Sequence, residues 1–473
     1  MRMLQRARHA KLIGFILFAG LALVGAKFAS RVHAGVTTWE KVIAPGVIYR
    51  EEADLAAHLT IHEVRVSLKS PSLQIKTALA GGTTYEGITG NSRLPVSKIV
   101  SDEGGLVGVN GDFFSMETGP SGDPLGLAVR DGRILSTPSG RAAFGWGPEE
   151  AHLDFPQLVA SFQTHAGSVR IDAVNRRCGP DAIVLDTPDV GFPLTDTPCL
   201  FAVLHFAHPV WSPSTVIRGR VDSIDTVPID RKLSPDEAVL VGRGLRGNLL
   251  GVLRPGTTVT VTLRTSGFDW EKIDSVIGGG PCLVRGGEVD VDGQQEGFGP
   301  DFFDAKHPRT AIGRTADNDI WLVAVDGRQE TGDGMTLQEL ARVMIRLGCV
   351  DAMNLDGGGS TTMDVLGVVV NRPSDGRERP VADGVVVMGP TRFQSSESLR
   401  ITGATVLEPG ETAQLSIVDG AGRLIPPIES IWGCDGAAFI DQNGTLTGLK
   451  NGSAEVIAVC RGHRLTYRIQ VGG

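Results

Sequence analysis

The chain has 473 residues, 41% hydrophobic and 21% charged, with a formal net charge of −9 at pH 7. That balance is ordinary for a globular protein of two or three domains with substantial cores, and it excludes a disordered or low-complexity chain. Net negative charge argues against a protein that wraps nucleic acid, yet it leaves room for a local basic pocket that receives a phosphate.

In chain order, Arg2, Arg6, Arg8 and Lys11 precede an uncharged run at 12–26, followed by the small-x-small triplet Val32-His33-Ala34. The pattern predicts an export signal over residues 1–34, cut after Ala34 or kept as an anchor. A run of about 15 residues falls short of the roughly 20 that a spanning helix needs. A secreted or cell-surface location follows, with membrane contact only through an uncleaved first segment.

Residues 35–392 read as an α+β body, a strand-rich mixed sheet with few helices. Val-rich runs at 63–67, 106–109, 258–263, 320–325, 366–370 and 385–388 predict strands. One helix is clear over 337–347, opened by Thr336 with Glu339 as a capping box and closed by Gly348, with Leu337, Leu340, Ala341, Met344 and Leu347 on one face. It joins a strand ending at Asp326 to a strand ending at Asp356, which fits a strand, helix, parallel strand unit. Such a unit opens the carboxyl ends of both strands onto one crevice. The stretch 233–253 yields no assignment.

A polar linker, Gln394-Ser395-Ser396-Glu397-Ser398, separates this body from residues 398–473. There, short apolar runs alternate with Pro409-Gly410, Asn443-Gly444 and Asn451-Gly452, the rhythm of a small antiparallel sandwich. The segment 441–456 resembles the bacterial immunoglobulin-like domains. It carries no catalytic constellation, so its expected role is a spacer or an adhesion module. Six cysteines in an exported chain suggest disulfides, and their spacing suggests Cys178 with Cys199, Cys282 with Cys349 and Cys434 with Cys460.

The most informative segment is Leu355-Asp356-Gly357-Gly358-Gly359-Ser360-Thr361, where an apolar run enters a carboxylate, three glycines and hydroxyls. Glycines let backbone N–H groups converge on an anion such as phosphate. Four further segments share the texture of apolar run, turn residue and polar group. They are Leu106 to Phe114 with Asn110 and Asp112, Ile277 to Val284, His307-Pro308-Arg309, and Trp321 to Arg328 with Asp326. At these residues the chain resembles the phosphodiester glycosidase family, over roughly residues 75 to 390.

The resemblance implies hydrolysis of the glycosidic bond of a sugar-1-phosphodiester, releasing free sugar and a phosphomonoester at a cell surface or outside the cell. In that chemistry Asp356 or Asp326 serves as nucleophile or general base, and which of them does so stays open. Arg309, Arg328 and the Gly357, Gly358 and Gly359 backbone would receive the phosphate, with Ser360 and Thr361 completing the cradle. Asn110 and Asp112 would bind sugar hydroxyls, and His307 would transfer a proton or only shape the turn at Pro308. Phe113 and Phe114 read as core packing, and Asn175 and Arg176 as a strand-end turn or a wall of the site.

No cofactor is required. Asp290, Asp292, Asp301 and Asp304 lie in an acidic glycine-rich loop whose oxygens suit calcium, but their spacing departs from the twelve-residue calcium loop, so calcium or magnesium stays open. A second class of function is a non-catalytic surface protein that binds exopolysaccharide or sugar phosphates. A binder would tolerate Asn at 326 or 356, whereas a hydrolase would not. Nothing in the sequence sets the oligomeric state.

Overall fold

A computed structural model describes residues 36–85, 92–116, 122–192, 198–292, 295–390 and 396–472. The expected export signal at 1–34 and the linker residues Gln394 and Ser395 lie outside these residues. Among the described residues no helix is long and apolar enough to cross a membrane.

The centre is a sandwich of two sheets with a helix outside each. The larger sheet has eight strands in the order Thr37–Ala44, Val47–Asp54, Leu59–Ser67, Asp319–Val325, Arg309–Thr315, Cys349–Asn354, Cys282–Arg285 and Glu288–Val289. Facing it are Val368–Val369, Met363–Val365, Val107–Asn110, Asp383–Met388 and Gln74–Leu79. Tyr49, Val64, Leu322, Ala324 and Met353 from one sheet and Val107, Val109, Val385 and Val387 from the other fill the core between them. Burial of alternate residues fixes the register, because a slip of one residue would turn this apolar set to the wrong face.

Helix Leu337–Arg346 has the predicted Thr336–Glu339 capping box and lays Leu337, Leu340, Ala341 and Met344 on the outer face of the larger sheet. Helix Val96–Glu103, which the sequence reading did not assign, covers the other sheet with Val96, Ile99 and Val100. The predicted strand at 366–370 is instead a hairpin, turning at Leu366 and Gly367 with φ of 54° and 81°.

The strand, helix, strand unit needs one correction. Strand Arg309–Thr315 lies between Asp319–Val325 and Cys349–Asn354 and is antiparallel to both. The outer two therefore run in the same direction without touching. Their carboxyl ends still share one edge, and the start of the inserted strand brings Arg309 to that same edge.

Residues 127–278 build a lobe on the sandwich. A five-stranded sheet, ordered Arg133–Ser136, Ala128–Arg130, Ser275–Gly278, Ala143–Trp146 and Ala151–Asp154, packs on an inserted eight-stranded sheet spanning 158–265. The unassigned stretch 233–253 supplies strand Glu237–Arg243 and two short helical turns.

Residues 400–471 form a separate all-β unit of three small sheets around Trp432, Val456, Ala458 and Ile469. None of the six cysteines forms a disulfide, so the expected Cys178–Cys199 bridge is not made. Register forbids two of the expected disulfides. Cys460 lies opposite Ser430 and Cys434 opposite Val456, while Cys282 lies opposite Met353, four residues from Cys349. At about 3.3 Å per residue each separation far exceeds the roughly 7 Å limit between bridged Cα atoms.

Candidate active site

One end of the sandwich gathers the strand termini that carry Asn110, Arg309, Asp326, Asp356 and Asp383. The two sheets are joined there by backbone, Asp356 N–H donating to Gly111 O at 2.9 Å, while Leu355 N–H to Thr310 O at 2.8 Å extends the ladder within the larger sheet.

Asp356 is half-buried at this edge. Burial pushes its carboxyl up to about 6, against the pull of the Ser360 hydroxyl, of the Gly357 N–H at 2.9 Å and of Arg379. It is thus a carboxylate at neutral pH with a proton affinity suited to general base or acid work.

The glycines after it solve a packing problem. A side chain on Gly357 would meet Pro308 O at 2.8 Å, and one on Gly359 would collide with the Arg379 guanidinium and the Asp375 carboxylate. Gly358 sits at φ 62°, where its open face looks on Arg328. Most of the N–H groups expected to converge on an anion are engaged within the protein. Gly357 N–H serves Asp356, Gly358 N–H donates to Pro308 O at 2.9 Å, and those of Ser360 and Thr361 go to Gly357 O and Gly358 O.

Positive charge comes from side chains instead. Arg328, exposed and itself at φ 59°, reaches from the Asp326 turn to His307, whose Nδ1 lies 2.9 Å from an Arg328 NH2. Accepting that bond leaves the proton of neutral His307 on Nε2. Burial, then Arg328 and Arg309, hold the His307 imidazole below its ordinary value.

Arg309 departs from expectation. It is buried, with Nε on Met335 O and NH2 on Phe302 O and Ala305 O, each at 2.9 Å. Those bonds make it a brace for the 302–305 turn. Burial, with Arg328 nearby, lowers it to about 10.

Asn110 and Asp112 also face inward. Asn110 is fully buried, donating to Asp356 O at 2.6 Å and accepting from Thr310 Oγ1 at 2.7 Å and Thr362 N–H at 3.2 Å, so it is turned to the interior and not to a sugar. The Asp112 carboxylate accepts the N–H groups of Phe113 and Gly126, and side chains on Gly126 or Gly278 would run into it. Burial pushes it up to about 6.

Asp383, which the sequence reading passed over, lies beside it and accepts the Asp112 N–H at 2.8 Å. Burial and then the Asp112 charge raise Asp383 well above the carboxylate range.

Asp326 is 1% exposed. Its Oδ1 accepts the Arg372 N–H at 2.9 Å and its Oδ2 lies 3.9 Å from His62 Nε2, so a substrate carbon cannot approach it.

Phe114 is core, while half-buried Phe113 packs against Phe298 and Phe302 at centroid distances of 5.4 and 6.0 Å. Asn175 is buried on Thr187, and Arg176 holds Pro124 O and Leu125 O, bracing the loop that caps Asp112 from behind. Among the described residues no group of His, Cys, Asp or Glu is arranged to hold a metal; Asp290 pairs with Arg285 and Asp292 accepts from Gln295.

These features can be set beside known proteins. Residues 215–388 match the model of the phosphodiester glycosidase family. That segment contains His307, Arg309, Asp326, Arg328, Asp356, Arg379 and Asp383, but neither Asn110 nor the C-terminal unit. An uncharacterized SPbeta prophage protein of Bacillus subtilis is 40% identical over 85 residues, 18% of this chain and 13% of its own length. Human N-acetylglucosamine-1-phosphodiester alpha-N-acetylglucosaminidase is 30% identical over 158 residues, 30% of each chain. The chain thus spans less than a third of either curated relative. The fold is shared with a hypothetical protein from Synechocystis of known structure, with a TM-score of 0.61 at 23% identity over 73% of this chain and 63% of that one.

Proposed function

We propose that the protein is an exported hydrolase that cleaves the glycosidic C–O bond of a sugar-1-phosphodiester, with a cell-surface or extracellular glycan as substrate. The observation that carries the reading is Asp356, a half-buried carboxyl at an edge where Arg328 and Arg379 concentrate positive charge and His307 offers an N–H.

Asp356 either attacks the anomeric carbon, giving an ester that water then opens, or takes a proton from water as the water attacks. In both routes the C1–O bond breaks and its electron pair leaves with phosphate. A phosphomonoester's second ionisation lies near pH 6, so it departs without a strong acid. Arg328 would neutralise the charge that develops on it, and His307 Nε2–H would donate to a phosphate oxygen. Asp326 takes no part in bond making.

Hydrolysis of a panel of sugar-1-phosphodiesters, followed by NMR with Asp356→Asn as control, tests this. Release of sugar and phosphomonoester by the wild type alone is expected. Saturable binding without turnover would favour the surface-binding function instead.

A further inference from the structure

The C-terminal all-β unit reaches the candidate site through two sets of polar contacts, one buried and one nearer the surface, that meet at Asp326. The first runs through the sheet interior. Gln442 is fixed by Trp432, donating to its O at 2.8 Å and accepting its N–H at 3.2 Å, and it donates to Glu51 Oε2 at 3.1 Å. Glu51 Oε2 lies 3.7 Å from His62 Nδ1, and the Tyr49 hydroxyl bridges them at 3.2 and 2.9 Å. His62 Nε2 then faces Asp326 Oδ2 at 3.9 Å.

The second set runs along the outside. Arg372 donates from its guanidinium to Ala438 O and Gly436 O of the C-terminal unit, and its backbone N–H holds Asp326 Oδ1 at 2.9 Å. One oxygen of this buried carboxylate is held by the Arg372 N–H and the other faces His62 Nε2 at 3.9 Å, and each path leads to the same neighbouring unit. Lys41 seals the junction, buried with its Nζ on Ser430 O, Gln442 O and Pro427 O.

A stalk does not need this. Burying charged and polar groups costs free energy unless each is paired, and an apolar interface would join two domains with less risk. What such a network supplies is defined geometry. The beneficiary is adjacent, because Asp326 opens the turn through Gly327 to Arg328, and Gly327 has no room for a side chain against Pro308 N at 2.6 Å.

We propose that the C-terminal unit is a working part of the active site. In this assignment Arg372 and Gln442 are positioning residues that fix Asp326, and through it the turn that aims Arg328 at His307 and Gly358. The function assigned to Arg328 rests on the phosphodiester reading above; the mechanical coupling does not.

The test uses the full chain carrying Arg372→Ala, Arg372→Lys or Gln442→Ala. Lys450→Ala serves as an interface control, since Lys450 bridges the same two units through exposed Glu330 at 2.7 Å without touching Asp326. Amide hydrogen exchange is followed at 325–329 and 430–442, alongside kcat and KM on a sugar-1-phosphodiester.

The expected result is exchange at 325–329 about tenfold faster or more in Arg372→Ala and Gln442→Ala, with kcat reduced, partial recovery in Arg372→Lys and no change in Lys450→Ala. Should Arg372→Ala fail to fold, Gln442→Ala carries the test. Faster exchange confined to 430–442, with 325–329 protected as in the wild type, would overturn the proposal. If the wild type turns over no sugar phosphodiester, the exchange result still decides the coupling, so the two failures are told apart.

Discussion

The Asp326 and Asp356 turns differ in a way that their sequences conceal. Each follows an apolar strand, each aspartate precedes glycine, and both reach the same edge of one sheet. Yet Asp326 is enclosed by His62 and Arg372, whereas Asp356 keeps access to solvent and has Gly357 N–H as its nearest donor. The contrast teaches that an aspartate at a strand end can serve chemistry or architecture, and that its second neighbours decide which. A buried carboxylate with an imidazole facing one oxygen and a backbone donor on the other is spent on structure.

The sharpest way to break the comparison is to neutralise each aspartate in turn. Asp356→Asn should lower kcat by about 10³-fold or more, in the range expected when a nucleophile or general base is lost, while the protein stays folded by circular dichroism. Asp326→Ala should act mainly on stability, costing about 3–5 kcal/mol in a denaturant titration, because it strands His62 in the interior. If the two outcomes were exchanged, the roles assigned here would be exchanged too.

A smaller effect is expected at Arg328. Arg328→Lys keeps the charge but loses the planar fork, and should lower kcat/KM by about 10- to 100-fold with little change in melting temperature.

The pH dependence separates the turns further. A carboxyl raised by burial favours the folded state in its protonated form, so the contribution of Asp356 is fully present below its unfolded value of 3.8 and is lost as pH rises through about 6. Asp356→Asn should therefore be more stable than the wild type above pH 6, by on the order of 1–3 kcal/mol, and equally stable near pH 4. Activity should run the other way in the wild type, with kcat/KM climbing to a plateau as Asp356 ionises near pH 6.

Much of this end of the molecule was legible in the sequence. The Val-rich runs gave the strands, the Thr336–Glu339 box gave the helix, and the spacing between Asp326 and Asp356 gave a shared edge even though another strand intervenes. Hydrogen-bond partners across long separations were not legible. Nothing local to Asn110 signals that Asp356 O, Thr310 and Thr362 hold its side chain, and nothing near Asp326 points to His62, which lies 264 positions earlier (326 minus 62).

Local patterns also misled where one residue type serves two ends. Three glycines suit an anion cradle, but here they admit Pro308 O and the Arg379 guanidinium. Asp383 carried a signal that was missed, a lone acid opening the apolar strand 385–388.

The most direct test is hydrolysis of a sugar-1-phosphodiester in ¹⁸O-labelled water. The account predicts that the label enters the sugar at C1 and that the phosphomonoester remains unlabelled. Label in the phosphate would mean P–O cleavage and would contradict it.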